Sequence, residues 1–122
     1  LREEKVVFSG DHVMGWSTTV IGPPDGDMAQ YFSSLKKLTT RDDRLYYPTH
    51  GNPIHDPQAF VTKLIEHRIA RERQIEECLK RGLLINATHK TVIRLLPAVN
   101  IESQQIDDGC AILQEVLLAG GA

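Results

Sequence analysis

Apolar residues fall along this chain in two kinds of pattern. The first is the short run closed by turn residues. Val6-Val7-Phe8 ends at Ser9-Gly10, the β-branched Thr18-Thr19-Val20-Ile21 is broken by Pro23-Pro24-Asp25-Gly26, and Leu45-Tyr46-Tyr47 stops at Pro48. Runs of this length, rich in Val, Ile, Thr and Tyr, predict three short strands. The second pattern is a 3-4 spacing. Met28, Tyr31, Phe32, Leu35 and Leu38 predict a helix that Asp27 can cap. Asp56-Pro57 opens the longest helix, whose apolar stripe is Phe60, Val61, Leu64, Ile65, Ile69, Ile75, Cys78 and Leu79. Its other face carries charges of both signs, the mark of a solvated surface. Gly82 stops it.

Beyond Gly82, residues 83–86 and 91–96 read as two strands with a turn between them. Ser103 is placed to cap a last helix with Ile106, Cys110, Leu113 and Leu117 on one face and Asp107 and Asp108 at its positive end. Arg41-Asp42-Asp43 reads as a solvated turn, and Gly120-Gly121-Ala122 as a frayed end.

Composition changes this picture little. The 122 residues suit a single compact unit, and 41% hydrophobic with 25% charged residues is ordinary for a globular protein. A net charge of −2 gives no basic footprint for nucleic acid. No apolar run approaches the roughly 20 residues needed to span a bilayer, so a cytoplasmic protein without a membrane partner is expected. Cys78 and Cys110 fall on apolar helical positions and read as two buried thiols. No Gly-x-Ser-x-Gly nucleophile motif and no phosphate-cradling glycine loop occurs.

The candidate chemistry gathers at the ends of two strands. Asp11 and His12 follow the Val6 strand, and His50 sits in the Pro48-Thr49-His50-Gly51-Asn52-Pro53 turn after the Leu45 strand. A carboxylate and an imidazole on neighbouring strand ends can hold a transition metal. His55 follows His50 by five residues. His67 and His89 read as exposed, and Trp16 as a packing aromatic.

Residues 1 to about 81 resemble the C-terminal half of a metallo-β-lactamase-fold hydrolase. The residues that carry this are Phe8-Ser9-Gly10-Asp11-His12-Val13, Gly15-Trp16-Ser17-Thr18-Thr19-Val20, Pro23-Pro24-Asp25-Gly26-Asp27-Met28 and Tyr47-Pro48-Thr49-His50-Gly51. The resemblance implies that Asp11 is a metal-bridging carboxylate and His50 a metal ligand, with His12 and His55 as candidates for a third. Thr49 stands where that family usually has Gly. The family's His-x-His-x-Asp-His cluster does not occur, so half of the αββα sandwich and a weak zinc site at most are expected, with no cofactor required and no catalytic residue assigned. Zinc binds tightly only with three or four ligands.

A second stretch, Gly82-Leu83-Leu84-Ile85-Asn86-Ala87-Thr88-His89 followed by Thr91-Val92-Ile93-Arg94-Leu95-Leu96-Pro97, resembles the C-terminal end of a class III pyridoxal-phosphate-dependent aminotransferase. It implies a substrate-carboxylate role for Arg94, although the lysine that holds the cofactor in that family is absent. The expected fold is therefore α/β: a metallo-β-lactamase half over residues 1–81, joined to a small β-β-α aminotransferase segment over 82–122. The expected function is that of an artificial chimera without an intact active site. A weak zinc hydrolase using Asp11 and His50, and an amino-acid or pyridoxal-phosphate binder using Arg94, are the alternatives. A sheet face carrying Val6, Phe8, Val20, Ile21 and Tyr46 is expected to remain uncovered and to bring two copies together as a homodimer.

Overall fold

A computed structural model describes residues 3–22, 24–89 and 92–120. Among these residues the chain forms three helices and two separate two-stranded sheets. It divides into two units, Leu1–His67 and Arg68–Ala122, each with a core of its own.

In the first unit, β1 (Val6–Gly10) and β2 (Leu45–Pro48) pair in parallel, with Val7 opposite Tyr46 and Phe8 opposite Tyr47. Parallel neighbours need a crossover between them, and α1 (Met28–Thr39) lies in it. This helix starts where the sequence predicts. Asp27 is extended, and its Oδ1 accepts the Gln30 N–H at 2.9 Å. After β2 the chain doubles back. Tyr46 and Ile54 exchange backbone hydrogen bonds of 3.0 and 2.9 Å, so residues 49–53 form a closed tip beyond β2. Then α2 (Pro57–Lys80) begins, with Asp56 Oδ1 accepting the Ala59 N–H at 3.3 Å. Val13, Tyr31, Leu35, Tyr46, Ile54, Val61 and Leu64 close the core.

The period-two geometry of a strand decides which aromatic faces outward. Tyr46 is fully buried, so it does not belong to the uncovered face expected from the sequence. Phe8 is exposed as expected and Tyr47 takes the place of Tyr46, the two rings stacked with centroids 5.8 Å apart and exposed by 73% and 41%.

Thr18–Ile21 is not a strand. The Thr19 hydroxyl donates to the carbonyls of Asp11 and His12, which folds this stretch back over the turn after β1 and leaves Val20 exposed. β-propensity expresses itself only where a partner strand exists.

Asp43 also departs from the expected solvated turn. It is buried, and its carboxylate accepts from Arg41 Nε at 2.5 Å and Nη2 at 2.9 Å and from the Tyr46 hydroxyl at 3.2 Å. Gln58 Nε2 donates to the carbonyls of Arg41 and Asp43, which ties the turn to the start of α2. The Arg41 guanidinium holds the Asp43 carboxyl below the usual carboxylate range. Burial, with Asp43 beside it, pushes the Tyr46 phenol up to about 12.

The second unit contains the end of α2, β3 (Asn86–His89), β4 (Val92–Arg94) and α3 (Ser103–Ala119). Gly82 stops α2 as predicted. It takes φ +83°, its N–H donates to Leu79 C=O at 2.9 Å, and the Leu83 N–H reaches Cys78 C=O at 2.8 Å. β3 and β4 are antiparallel and form a sheet separate from the first. β3 starts later than the expected 83–86 because Leu83 and Ile85 pack on Cys78 and Val116 instead of pairing. Of the strand expected over 91–96, Val92–Arg94 forms and ends before Leu95 and Leu96, which are exposed. Thr91 lies outside the described residues, as do Gly121 and Ala122 of the expected frayed end. His89, expected in the turn, ends β3.

The cap of α3 is Glu102, one residue before the expected Ser103. Its N–H donates to Gln105 Oε1 at 3.0 Å. Ile112, Leu113 and Val116 are the residues α3 packs inward. Ile106, Cys110 and Leu117, expected on the buried face, are exposed. Cys78 is buried as expected, and burial pushes its thiol up. Among the described residues no helix is long and apolar enough to cross a membrane.

Candidate functional site

The two strand ends deliver their polar residues to one place. β1 and β2 run in the same direction, so the residues after Gly10 and after Pro48 emerge side by side. The Thr49 N–H donates to Gly10 C=O at 3.2 Å and extends the pairing past both strands. Asp11 and His50 follow, and Asp11 Oδ1 lies 3.7 Å from His50 Nε2. Both side chains are more than half exposed, so the pair faces solvent and is open to a ligand.

Local hydrogen bonds hold the turn after β1. The His12 N–H donates to Ser9 C=O at 3.1 Å, and the Ser9 hydroxyl donates to Val13 C=O at 2.8 Å. Val13 is completely buried and anchors the turn in the core. On the other side, the Gly15 N–H donates to His50 C=O at 2.8 Å.

The other two candidate histidines do not join the pair. His12 turns toward α1. Its Nε2 lies 3.0 Å from the Ser34 hydroxyl, its ring meets Tyr31 edge-on, and Tyr31 OH donates to its carbonyl at 2.8 Å. Burial lowers its pKa and favours the neutral ring. Among the described residues His12 does not join Asp11 and His50 in a group of three metal-binding side chains. His55 follows Ile54, the bridge partner of Tyr46, and lines a cleft with Glu4, Val6, Asp43, Leu45 and Gln58. Val6 and Leu45 are the first residues of β1 and β2, so this cleft lies at the opposite end of the strands. Four strand steps at about 3.3 Å each put it on the order of 13 Å from Gly10, the residue before Asp11.

Arg94 is the last residue of β4, exposed, and in the second unit. Among the described residues no group of three His, Cys, Asp or Glu side chains could hold a metal ion.

Sequence reading missed three contributors: Ser34 as the partner of His12, Thr19 as a tie across the turn, and Gly15 with Gly51 where the two turns meet. A signal existed for the glycines. One follows Asp11 by four residues and the other follows His50 directly, and two glycines flanking a site suggest close backbone approach.

No protein-family model matches the chain. Over 80 residues it is 40% identical to the beta-lactamase-like protein 2 homolog of Caenorhabditis elegans, a match covering 66% of this chain and 26% of that protein. It is 37% identical over 75 residues to an atrochrysone carboxyl ACP thioesterase of Aspergillus fumigatus, covering 62% of this chain and 22% of that protein. It is 30% identical over 118 residues to the atrochrysone carboxyl ACP thioesterase nsrC of Aspergillus novofumigatus, covering 93% of this chain and 35% of that protein. The chain thus spans about a quarter to a third of the length of these relatives. A match over 93% of the chain leaves out 7%, whereas residues 82–122 make up a third of it, so the match runs well past Gly82. It enters the stretch expected to come from an aminotransferase, and nothing in these matches supports a second parent or a chimera. Over most of its length the chain is similar to lactamase-like proteins.

Proposed function

We propose that this chain is a segment of a lactamase-like hydrolase of the metallo-β-lactamase fold, in which Asp11 and His50 are two ligands of a metal centre. The observation that carries the reading is the meeting of these side chains, 3.7 Å apart and open to solvent, at the ends of paired parallel strands. Open α/β sheets keep their ligands at that end of their strands.

The donor chemistry fits a zinc-type ion: one carboxylate oxygen and one imidazole nitrogen. Two donors do not make a tight site. In this reading the remaining ligands lie in the part of the relatives that this chain does not span. When bound, such an ion supplies an activated water and polarises a carbonyl. The chain's own residues supply the rest. Asp11 and His50 would hold the ion, and His12 keeps the turn after β1 docked on α1 through Ser34 and Tyr31. Two of the relatives described above are named as ACP thioesterases, which makes a thioester the proposed substrate class. No observation favours amino-acid or pyridoxal-phosphate binding through Arg94.

The test is a cobalt titration of the chain followed by its visible spectrum. Weak binding is expected, lost in both Asp11→Ala and His50→Ala and retained in His55→Ala. Binding that persists unchanged in His50→Ala overturns the reading.

A further inference from the structure

The distance between Asp11 and His50 depends on how two turns cross, and each turn places a glycine at the crossing. A Cβ built on Gly15 would lie 2.5 Å from Asn52 O, 3.0 Å from Asn52 N and 3.3 Å from the Gly51 carbonyl carbon. A Cβ built on Gly51 would lie 2.7 Å from the Gly15 carbonyl carbon and 2.8 Å from both Gly15 Cα and Trp16 N. Every one of these neighbours is backbone, so no side chain can swing away to make room. Gly51 has a second reason to be glycine, since its φ is +95°. Gly15 has no such reason and is constrained by space alone. Its N–H also donates to the carbonyl of His50 itself at 2.8 Å.

We propose that Gly15 and Gly51 form a backbone clasp that positions His50 against Asp11, and that this clasp sets the ligand geometry of the candidate site. The inference builds on the proposed metal-binding role of that pair, but the clasp has a metal-free consequence of its own. A methyl group at Gly15 pushes the 49–52 tip away from the 11–16 turn. His50 moves with the tip because it lies on it, while Asp11 stays with β1. Gly15 and Gly51 are positioning residues: they act through His50 and touch no ligand.

Gly15→Ala isolates this effect. The control is Gly22→Ala, the same chemical change at a glycine with open space around its Cβ and no positive φ. Two readouts are taken on the full chain at low temperature. One is the nuclear Overhauser contact between the His50 ring proton Hε1 and the Asp11 Hβ protons, without metal. The other is the cobalt affinity. The contact is expected in the unmodified chain and in Gly22→Ala, and is expected to vanish in Gly15→Ala. Cobalt affinity in Gly15→Ala should fall about to the level of His50→Ala. An intact contact and unchanged affinity in Gly15→Ala overturn the clasp. If the unmodified chain binds no cobalt but the contact follows this pattern, the metal reading fails and the clasp stands. Should Gly15→Ala fail to fold, amide exchange in the unmodified chain decides: a protected Gly15 N–H supports the clasp, and exchange at the random-coil rate overturns it.

Discussion

The two units are built from similar elements and differ in how far they close. The first buries Val13, Leu35, Tyr46 and Val61 completely, around a parallel strand pair and two helices. Among the described residues of the second, Cys78, Ile85 and Val116 form the buried cluster, while Leu79, Leu84, Leu95, Leu96, Val99, Ile106, Leu117 and Leu118 stay exposed. The second is the richer in Leu, Ile and Val, 18 of 55 residues against 13 of 67, so aliphatic content does not explain its weaker closure, although all seven aromatic residues lie in the first. The difference lies in order along the chain. In the first unit apolar residues recur at the period of the element that carries them, and a crossover brings distant segments together. In the second, Leu84, Leu95 and Leu96 flank a short hairpin, where a small ladder cannot cover both faces. The candidate site sits on the better-closed unit, whose strand ends are held from below by a packed core.

The largest way to break this contrast is to open the first core. Leu35→Ala removes a fully buried side chain from α1 and should cost about 2–5 kcal/mol of stability in the first unit. Leu118→Ala on α3 should cost less than about 0.5 kcal/mol, because Leu118 is 74% exposed. Residue-resolved amide exchange checks both. A Leu35→Ala cost as small as that of Leu118→Ala would remove the distinction between the units.

Much of the first unit was legible because its signals agree with one another. The 3-4 spacing of Met28 to Leu38, the Asp27 cap and the Asp56-Pro57 start each specify one outcome, and each forms as read. Asp11 and His50 were legible for the same reason: each stands just past a strand that ends in turn residues. The failures each turn on a partner that the local pattern does not show. Thr18–Ile21 has strand propensity but pairs with no strand among the described residues, and its Thr19 hydroxyl donates to the carbonyls of Asp11 and His12. Asp43 reads as surface until Arg41, Tyr46 and Gln58 are seen to enclose it. On α3, two overlapping apolar stripes were available, and the packing of Leu83 and Ile85 selected Ile112, Leu113 and Val116. Arg41 and Tyr46 lie within three residues of Asp43, where a charged turn hides their role, and the other partners lie seven or more residues away and leave no local mark.

Acid should act more strongly on the first unit than on the second through Asp43. Its folded pKa lies below its unfolded value of 3.8, chiefly because of the hydrogen bonds from Arg41. The stability this gives is therefore complete above about pH 4 and is lost as the pH falls through the folded value. Asp43→Asn should remove that acid sensitivity. It should also cost on the order of 1.5 kcal/mol at neutral pH, the low end for a hydrogen bond to a charged group because Arg41 is half exposed. Exchange rates of α1 amides between pH 5 and 3 measure this. A first unit whose pH response is the same in Asp43→Asn as in the unmodified chain would show that another group carries it.

The smallest effect tests the second unit at its entrance. Gly82 holds φ +83° with open space around its Cβ, so substitution there costs backbone strain and nothing else. At Gly51 the positive φ and the backbone contact with Gly15 act together. Gly82→Ala should destabilise the second unit by about 1 kcal/mol, and Gly82→Asn by less, because Asn tolerates the left-handed region better. The route is the pair of hydrogen bonds that end α2. The Leu83 N–H reaches back to Cys78 C=O, and both residues belong to the second cluster, so a strained Gly82 loosens the attachment of Leu83 to it. Faster exchange of α3 amides in Gly82→Ala, with α1 amides unchanged, is the expected result. If α1 and α3 amides accelerate equally, the chain unfolds as one cooperative body, and the weaker closure of the second unit does not translate into separate stability.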